Sequence, residues 1–237
     1  MTEDVSLLDG LLPDVVRWAQ STVPDADERN PAGAARIATI EAELFPEERA
    51  HIAQAVAKRR AEFAAVRRCA RRALGQLGFP PVPILPGEKR EPLWPEGVVG
   101  SMTHCAGYCA AAVARAHEVA ALGIDAEVHE ALPEGVLELI SLESERERLA
   151  KLDARAGDLH WDRVLFSAKE SVYKAWFPIT HRWLDFEQAE IDLRTDGTFE
   201  AVLLLGEQER AGAPAGFAGR WAVATGLIAT AIGEVVA

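Results

Sequence analysis

Phe166-Ser-Ala-Lys-Glu-Ser-Val-Tyr-Lys-Ala-Trp176 is the stretch from which the rest of the chain is read. Leu165, Val172, Tyr173 and Trp176 recur at helical spacing, and neither Gly nor Pro interrupts them before Pro178. The spacing predicts a helix over residues 162–176. On it Glu170 and Lys174 lie one turn apart on the same face, with Lys169 beside them. The plain alternative is a surface Glu–Lys pair, which contributes only about 0.2–0.5 kcal/mol. Upstream, Asp125 and Glu127 close the apolar run that leads into Gly123-Ile-Asp-Ala-Glu127. Two carboxylates two residues apart on a strand point to the same side. A third from the helix, Glu170, would complete an oxygen-rich cage for a hard cation such as Mg²⁺, with Mn²⁺ as the alternative ion.

Composition narrows the class. A chain of 237 residues, 49% of them hydrophobic, has ample core for one large domain or two small ones. Its net charge of −12 argues against a nucleic-acid partner. Three cysteines, Cys69, Cys105 and Cys109, without a Cys-x-x-Cys or clustered His, fit neither a disulfide framework nor a zinc site. They read as small thiols of a reducing compartment. Leu7, Leu8, Leu11 and Leu12 are broken up by Asp9 and Pro13 after the acidic Glu3 and Asp4, which is not the pattern of a signal peptide. No run of about 18 apolar residues occurs, so a cytoplasmic protein without a membrane partner is expected.

In chain order, residues 1–45 read as irregular, with Pro24–Pro31 a turn-rich loop. From Pro46 one long helix is expected to about Leu74, started by Glu47 and Glu48 and stopped by Gly75 and Gly78. Its buried stripe is Ile52, Val56, Phe63, Val66, Ala70 and Leu74. The other face carries Lys58, Arg59, Arg60, Arg67, Arg68, Arg71 and Arg72. Such a face is either simply solvated or an anion site, since guanidinium forks grip phosphate in two-pronged fashion.

Phe79-Pro-Pro-Val-Pro83 must run extended, and Gly87–Pro95 reads as a loop. Residues 97–103, 108–114 and 119–125 then read as three short strands, with His104 on a bend after the first. Residues 133–140 and 143–152 look helical. Beyond the central helix, 186–193 and 198–205 form a hairpin around Asp196-Gly197, and 219–225 pairs with 227–232 across Gly226. A long helix with about three strands occurs twice. The expected fold is therefore α/β (α+β) in two similar halves, residues 1–122 and 123–237. Each half packs a small antiparallel sheet on a long helix, with the site in the cleft between them.

With those residues in view, the chain resembles the 4′-phosphopantetheinyl transferase superfamily in its larger, pseudo-two-fold, surfactin-type form. The resemblance rests on Gly123–Glu127, on Phe166–Glu170 with Lys174 following, on Ser101–His104, and on the Gly87–Pro92 loop. It is strongest toward mycobacterial members that activate polyketide and peptide synthetases, around residues 57–74, 103–108 and 169–177. It implies transfer of the 4′-phosphopantetheine arm of coenzyme A to a serine of an apo acyl or peptidyl carrier protein, releasing 3′,5′-ADP. It also implies that Asp125, Glu127 and Glu170 hold Mg²⁺ and that Lys174 stands at the scissile phosphate, with Lys169 near the same diphosphate. Arg59, Arg67 and His104 would bind the nucleotide's 3′-phosphate region, with Lys89 and Thr103 helping. Pro86 departs from the pattern by standing where mycobacterial members have a lysine, which would shift one phosphate contact to Lys89 or Arg90. Glu170, Glu127 and a metal-activated water all remain open as the base. The competing readings are a non-catalytic coenzyme-A-binding protein that docks carriers, and another Mg²⁺-dependent phosphoryl enzyme. A monomer is expected, and which synthase is served (fatty-acid, polyketide or peptide) is left open.

Overall fold

The computed structural model describes residues 6–23, 30–210 and 213–236; most of the predicted 24–31 loop lies outside them. The chain divides into two compact units, Asp14–Glu118, and Met1–Pro13 with Val119–Ala237. Each is a helix-covered antiparallel sheet with its own core.

In the Asp14–Glu118 unit the elements are β1 (Arg17–Thr22), α1 (Pro31–Ala42), α2 (Pro46–Ile52), α3 (Ala57–Gln76), β2 (Val98–Cys105) and β3 (Tyr108–Arg115). The sheet order is β1-β3-β2. Central β3 reads Tyr-Cys-Ala-Ala-Ala-Val-Ala, every residue buried, and these small side chains let α3 lie close on the sheet. Phe63, Val66, Ala70 and Leu74 of α3 pack there with Ile40 of α1. Cys69 and Cys109 face one another in this layer as free thiols, Sγ to Sγ 3.7 Å.

Two expectations fail in this unit. Residues 17–22 and 31–42 are not irregular. The second forms a helix whose start was written in Asn30-Pro31: Asn30 Oδ1 accepts from Ala32 N at 3.0 Å and proline occupies the first turn. The helix expected from Pro46 to Leu74 is two helices, interrupted at residues 53–56. Val56 there turns extended (ψ 154°) and is 74% exposed, so it is not part of the buried stripe. No Gly or Pro marks that break.

The other unit contains β4 (Val119–Val128), α4 (Val136–Ile140), α5 (Glu143–Asp153), α6 (Trp161–Thr180), β5 (Ala189–Leu193), β6 (Thr198–Leu203), β7 (Gly216–Ala224) and β8 (Leu227–Val235). The sheet order is β4-β8-β7-β6-β5, all antiparallel. Thr225 and Gly226 both have positive φ (52° and 78°), the two-residue turn whose twist suits a hairpin. Leu7, Leu8 and Leu11 are buried, and Pro13 lies against Gly233 of β8. Helix α6 does not stop before Pro178 but runs to Thr180, because a proline in the last turn removes only one ladder bond. It ends at His181, left-handed at φ 52°, whose N–H reaches Phe177 O.

What seats α6 is Gly123 on β4. A Cβ built there would lie 2.1 Å from Ser171 O and 2.9 Å from Ala175 N. Gly123→Ala is therefore expected to lower unfolding stability by about 1–3 kcal/mol through overpacking. Gly75→Ala on α3, where nothing lies within 4 Å, should raise it by about 0.5–1 kcal/mol. Urea unfolding of the two variants checks the opposite signs.

Candidate active site

Alternation along β4 sends Gly123, Asp125 and Glu127 to the face on which α6 lies. Asp125 is 4% exposed and is held from two sides. Lys174 Nζ donates to its Oδ1 at 2.7 Å and to Ile124 O at 3.2 Å, and Ser167 Oγ donates to its Oδ2 at 2.8 Å. Glu127 is half-buried and accepts from Arg163 Nη1 at 3.1 Å, while Arg163 also donates to the carbonyls of Glu130 and Ala131. Burial, helped by the Asp125 charge, nevertheless pushes Glu127 up to about 7, so desolvation outweighs its arginine. Burial also raises Glu170, with Lys174 opposing and Asp125 adding. Asp125, Glu127, Glu170 and Lys174 thus form one electrostatic group on β4 and α6.

Lys169 does not join that group. It is buried on the side of α6 facing α5 and β5, and its three donors go to Glu145 Oε2 (2.8 Å), Phe186 O (2.7 Å) and Ala189 O (2.7 Å). Glu145 is equally enclosed, accepting from Leu142 N and Ile191 N as well. The expectation that Lys169 lies near a diphosphate meets a side chain with every donor spent in the core.

The fit of a metal is a matter of donor chemistry. Among the described residues no three His, Cys, Asp or Glu side chains converge into a ligating set, and both Asp125 oxygens are already engaged. Yet the three carboxylates are oxygen donors on adjacent elements, and Asp125 raises the proton affinity of the other two. Three carboxylates set against two cations, Lys174 and Arg163, suit a hard cation.

The second group lies in the Asp14–Glu118 unit. Arg59 Nη1 is 2.9 Å from His104 Nε2, and Glu62 Oε2 lies 3.9 Å from Arg59 and 3.8 Å from His104 Nδ1. Arg59 is exposed on α3, and His104 is half-buried near the end of β2. Thr103, next to it, is buried. Arg67 is also buried, its guanidinium 3.5 Å over the Phe63 ring and its Nε on Ile84 O at 3.2 Å. Burial lowers it to about 9, against the pull of Glu48. Lys89 is exposed at the tip of a loop closed by Leu93 N to Leu85 O (2.8 Å) and Gly87 N to Glu91 O (2.7 Å). Pro86 pairs across that loop with Pro92.

The basic face of α3 is largely neutralised from within. Arg60 pairs with Glu41 (2.7 Å), Arg68 with Glu43 (3.7 Å), and Arg71 with the fully buried Glu48 (2.8 Å). Glu48 further accepts from the backbone of Phe45 and Ile84. Sequence reading missed Arg163, Ser167 and Glu145. The first two were findable, since 163, 167, 170 and 174 share one helical face.

Two family patterns match the chain: the 4′-phosphopantetheinyl transferase N-terminal domain over residues 47–114, and the 4′-phosphopantetheinyl transferase superfamily over residues 121–225. The chain is 60% identical over 191 residues to the 4′-phosphopantetheinyl transferase Svp of Streptomyces mobaraensis, covering 80% of this chain and 78% of that one. It is 54% identical over 194 residues to PptT of Mycobacterium tuberculosis, covering 79% and 85%. Enterobactin synthase component D of Salmonella typhi is 38% identical over 124 residues, covering 50% and 49%.

Lys169 gives the prediction. Lys169→Met leaves Glu145 buried without its cation and should cost about 3–5 kcal/mol, whereas Arg72→Ala on the exposed helix face should change stability by less than about 0.5 kcal/mol. Urea unfolding decides. Unchanged stability of Lys169→Met with a raised KM for coenzyme A would return Lys169 to the substrate.

Proposed function

The chain belongs to the 4′-phosphopantetheinyl transferase superfamily, and from that premise we propose how its residues divide the work. It transfers the phosphopantetheine arm of coenzyme A to carrier proteins. The observation that carries the site assignment is the Asp125–Lys174 contact, set beside the raised Glu127 and Glu170. The carrier serine oxygen attacks phosphorus, the diphosphate P–O bond breaks, and 3′,5′-ADP leaves with the electron pair. Asp125, Glu127 and Glu170 would hold Mg²⁺, which when bound neutralises diphosphate charge. Lys174, whose ammonium donates to Asp125 and to Ile124 O, would stabilise the negative charge that develops on the phosphoryl oxygens. Glu170, one turn from Lys174, is our assignment for the group that takes the serine proton, with Glu127 as the alternative.

At the nucleotide end we assign Arg59 and His104 to the 3′-phosphate. Arg59 is exposed and its Nη1 donates to His104 Nε2, so the imidazole steadies the guanidinium whose other N–H groups would meet an anion. Arg67 contributes by holding the base of the 85–93 loop through Ile84 O, and Lys89 rides on that loop.

For the carrier we assign the end of α6. Tyr173 lies 5.7 Å from Phe177 and 5.2 Å from Trp183 between ring centroids, and Trp183 is 66% exposed. Trp176 is core, its indole N–H on Arg182 O. The cations of α3 offer a weak rival surface, because Arg68 and Arg71 are spent on Glu43 and Glu48. Peptide and polyketide synthesis is the setting we infer, from the enterobactin synthase relative and from the mycobacterial resemblance.

Mass spectrometry of an apo carrier incubated with coenzyme A and Mg²⁺ tests the metal. Glu170→Ala or chelation of the metal should abolish labelling while circular dichroism stays native; full labelling in either case removes the metal assignment. His104→Ala should raise KM for coenzyme A by about 10–150-fold, the equivalent of one charge-assisted contact, and leave 3′-dephospho-coenzyme A far less affected. Equal losses on both substrates would take the 3′-phosphate away from His104. Trp183→Ala should raise KM for the carrier about tenfold or more, with little salt dependence in the parent protein. A steep salt dependence would move the docking surface to charged residues.

A further inference from the structure

Three buried hydroxyls stand behind Asp125, and the reaction as derived above does not use them. Thr230 on β8 is the register partner of Asp125 on β4, so both side chains face α6. Ser167 and Ser171 come from α6 one turn apart, and all three hydroxyl residues are fully buried. Ser171 Oγ lies 2.5 Å from Thr230 Oγ1, Thr230 Oγ1 lies 3.0 Å from Ser167 Oγ, and Ser167 Oγ is 2.8 Å from Asp125 Oδ2. Thr230 Oγ1 also reaches Ser167 O at 2.8 Å, and Ser171 Oγ reaches Thr230 O at 3.2 Å.

Proton counting gives the row a direction. Each hydroxyl has one proton to donate, and an ionised Asp125 can only accept. Ser167 therefore donates to Asp125, and Thr230 directs its one proton at Ser167, shared between the carbonyl oxygen at 2.8 Å and Oγ at 3.0 Å, which leaves the Thr230 oxygen an acceptor toward Ser171. Successive donors polarise one another in a low-dielectric interior, and the end of the row gains most. Asp125 Oδ2 is thereby fixed from inside, and Oδ1 is left to face Lys174. Thr230 lies beyond residues 121–225, over which the superfamily pattern matches.

We propose that Ser171, Thr230 and Ser167 form a one-way hydroxyl relay that positions the Asp125 carboxylate for phosphopantetheine transfer, with Thr230 as its central positioning residue. This rests on the assignment of Asp125 and Lys174 to the reacting diphosphate. The relay moves no proton during the reaction; it fixes which oxygen Asp125 presents and at what angle.

Thr230→Val keeps the volume and removes the hydroxyl. It should lower kcat about 10–100-fold, as loss of an outer-sphere partner typically does, with KM for coenzyme A and for the carrier changed less than about twofold. Thr230→Ser should restore kcat to within about threefold of the parent, which a purely packing role would not allow. Wild-type kcat in Thr230→Val, or a Thr230→Ser as slow as the valine variant, overturns the relay. Should the valine variant fail to fold, Ser167→Ala removes the last donor and carries the same kcat expectation. Urea unfolding of metal-free protein supplies a second readout: Thr230→Val and Asp125→Asn should be non-additive, and strict additivity overturns the relay. If Asp125→Asn keeps full activity, the assignment of Asp125 to the diphosphate fails instead, and the urea comparison alone decides the relay.

Discussion

The close seat of α6 on β4 is the constraint on which the rest depends. A helix packed on a sheet ordinarily stands off by the thickness of its side chains, and here Gly123 removes one side of that spacer. The backbone of Ser171 comes to where any other residue would carry its Cβ. At that separation the hydroxyls of Ser167 and Ser171 reach Thr230, and Lys174 reaches Asp125. One glycine thus converts a generic helix-on-sheet contact into a polar seam whose groups are paired across three elements. Buried polar groups without such pairing would cost more than the apolar layer around them returns.

Charge is handled in the same way throughout. Asp125 is answered by Lys174, Glu127 by Arg163, Glu145 by Lys169 and Glu48 by Arg71. A buried ion pair contributes little net stability, because desolvation consumes most of the Coulomb gain, but losing one member is severe. These pairs therefore act chiefly as fixed joints. The pair at Glu145 and Lys169 ties α5 and β5 to α6, and the pair at Glu48 and Arg71 ties α2 to α3. In a chain of net charge −12, the same use of carboxylates pairs Arg60, Arg68 and Arg71 of α3 with Glu41, Glu43 and Glu48.

Much of this was legible in the sequence. The period of residues 165–176 gave α6, residues 97–103, 108–114 and 119–125 read as the strands β2, β3 and β4, and Asp196-Gly197 and Gly226 marked the hairpins. The shared face of Glu170 and Lys174 was legible, whereas the contact of Lys174 with Asp125 came only from the structure. Lys169 lies apart from Glu170 because one residue turns the helix by 100°: it falls with Val172 and Trp176, at i+3 and i+7, on the core side. The break at residues 53–56 has no residue that forbids helix, so only tertiary packing reveals it. Thr230 was out of reach, since its pairing with Asp125 spans the whole sheet and depends on a register that no local pattern encodes.

The central claim is that β4 and α6 form one cooperative body, so that the carboxylates and Lys174 keep their geometry without ligand. Native-state hydrogen exchange in low urea measures this directly. The account predicts that amides of Gly123–Glu127 and of Ser167–Lys174 exchange with one common opening free energy and one common urea dependence, both those of global unfolding. Exchange of the α6 amides through a local opening, at lower free energy and without urea dependence while β4 stays protected, would contradict it.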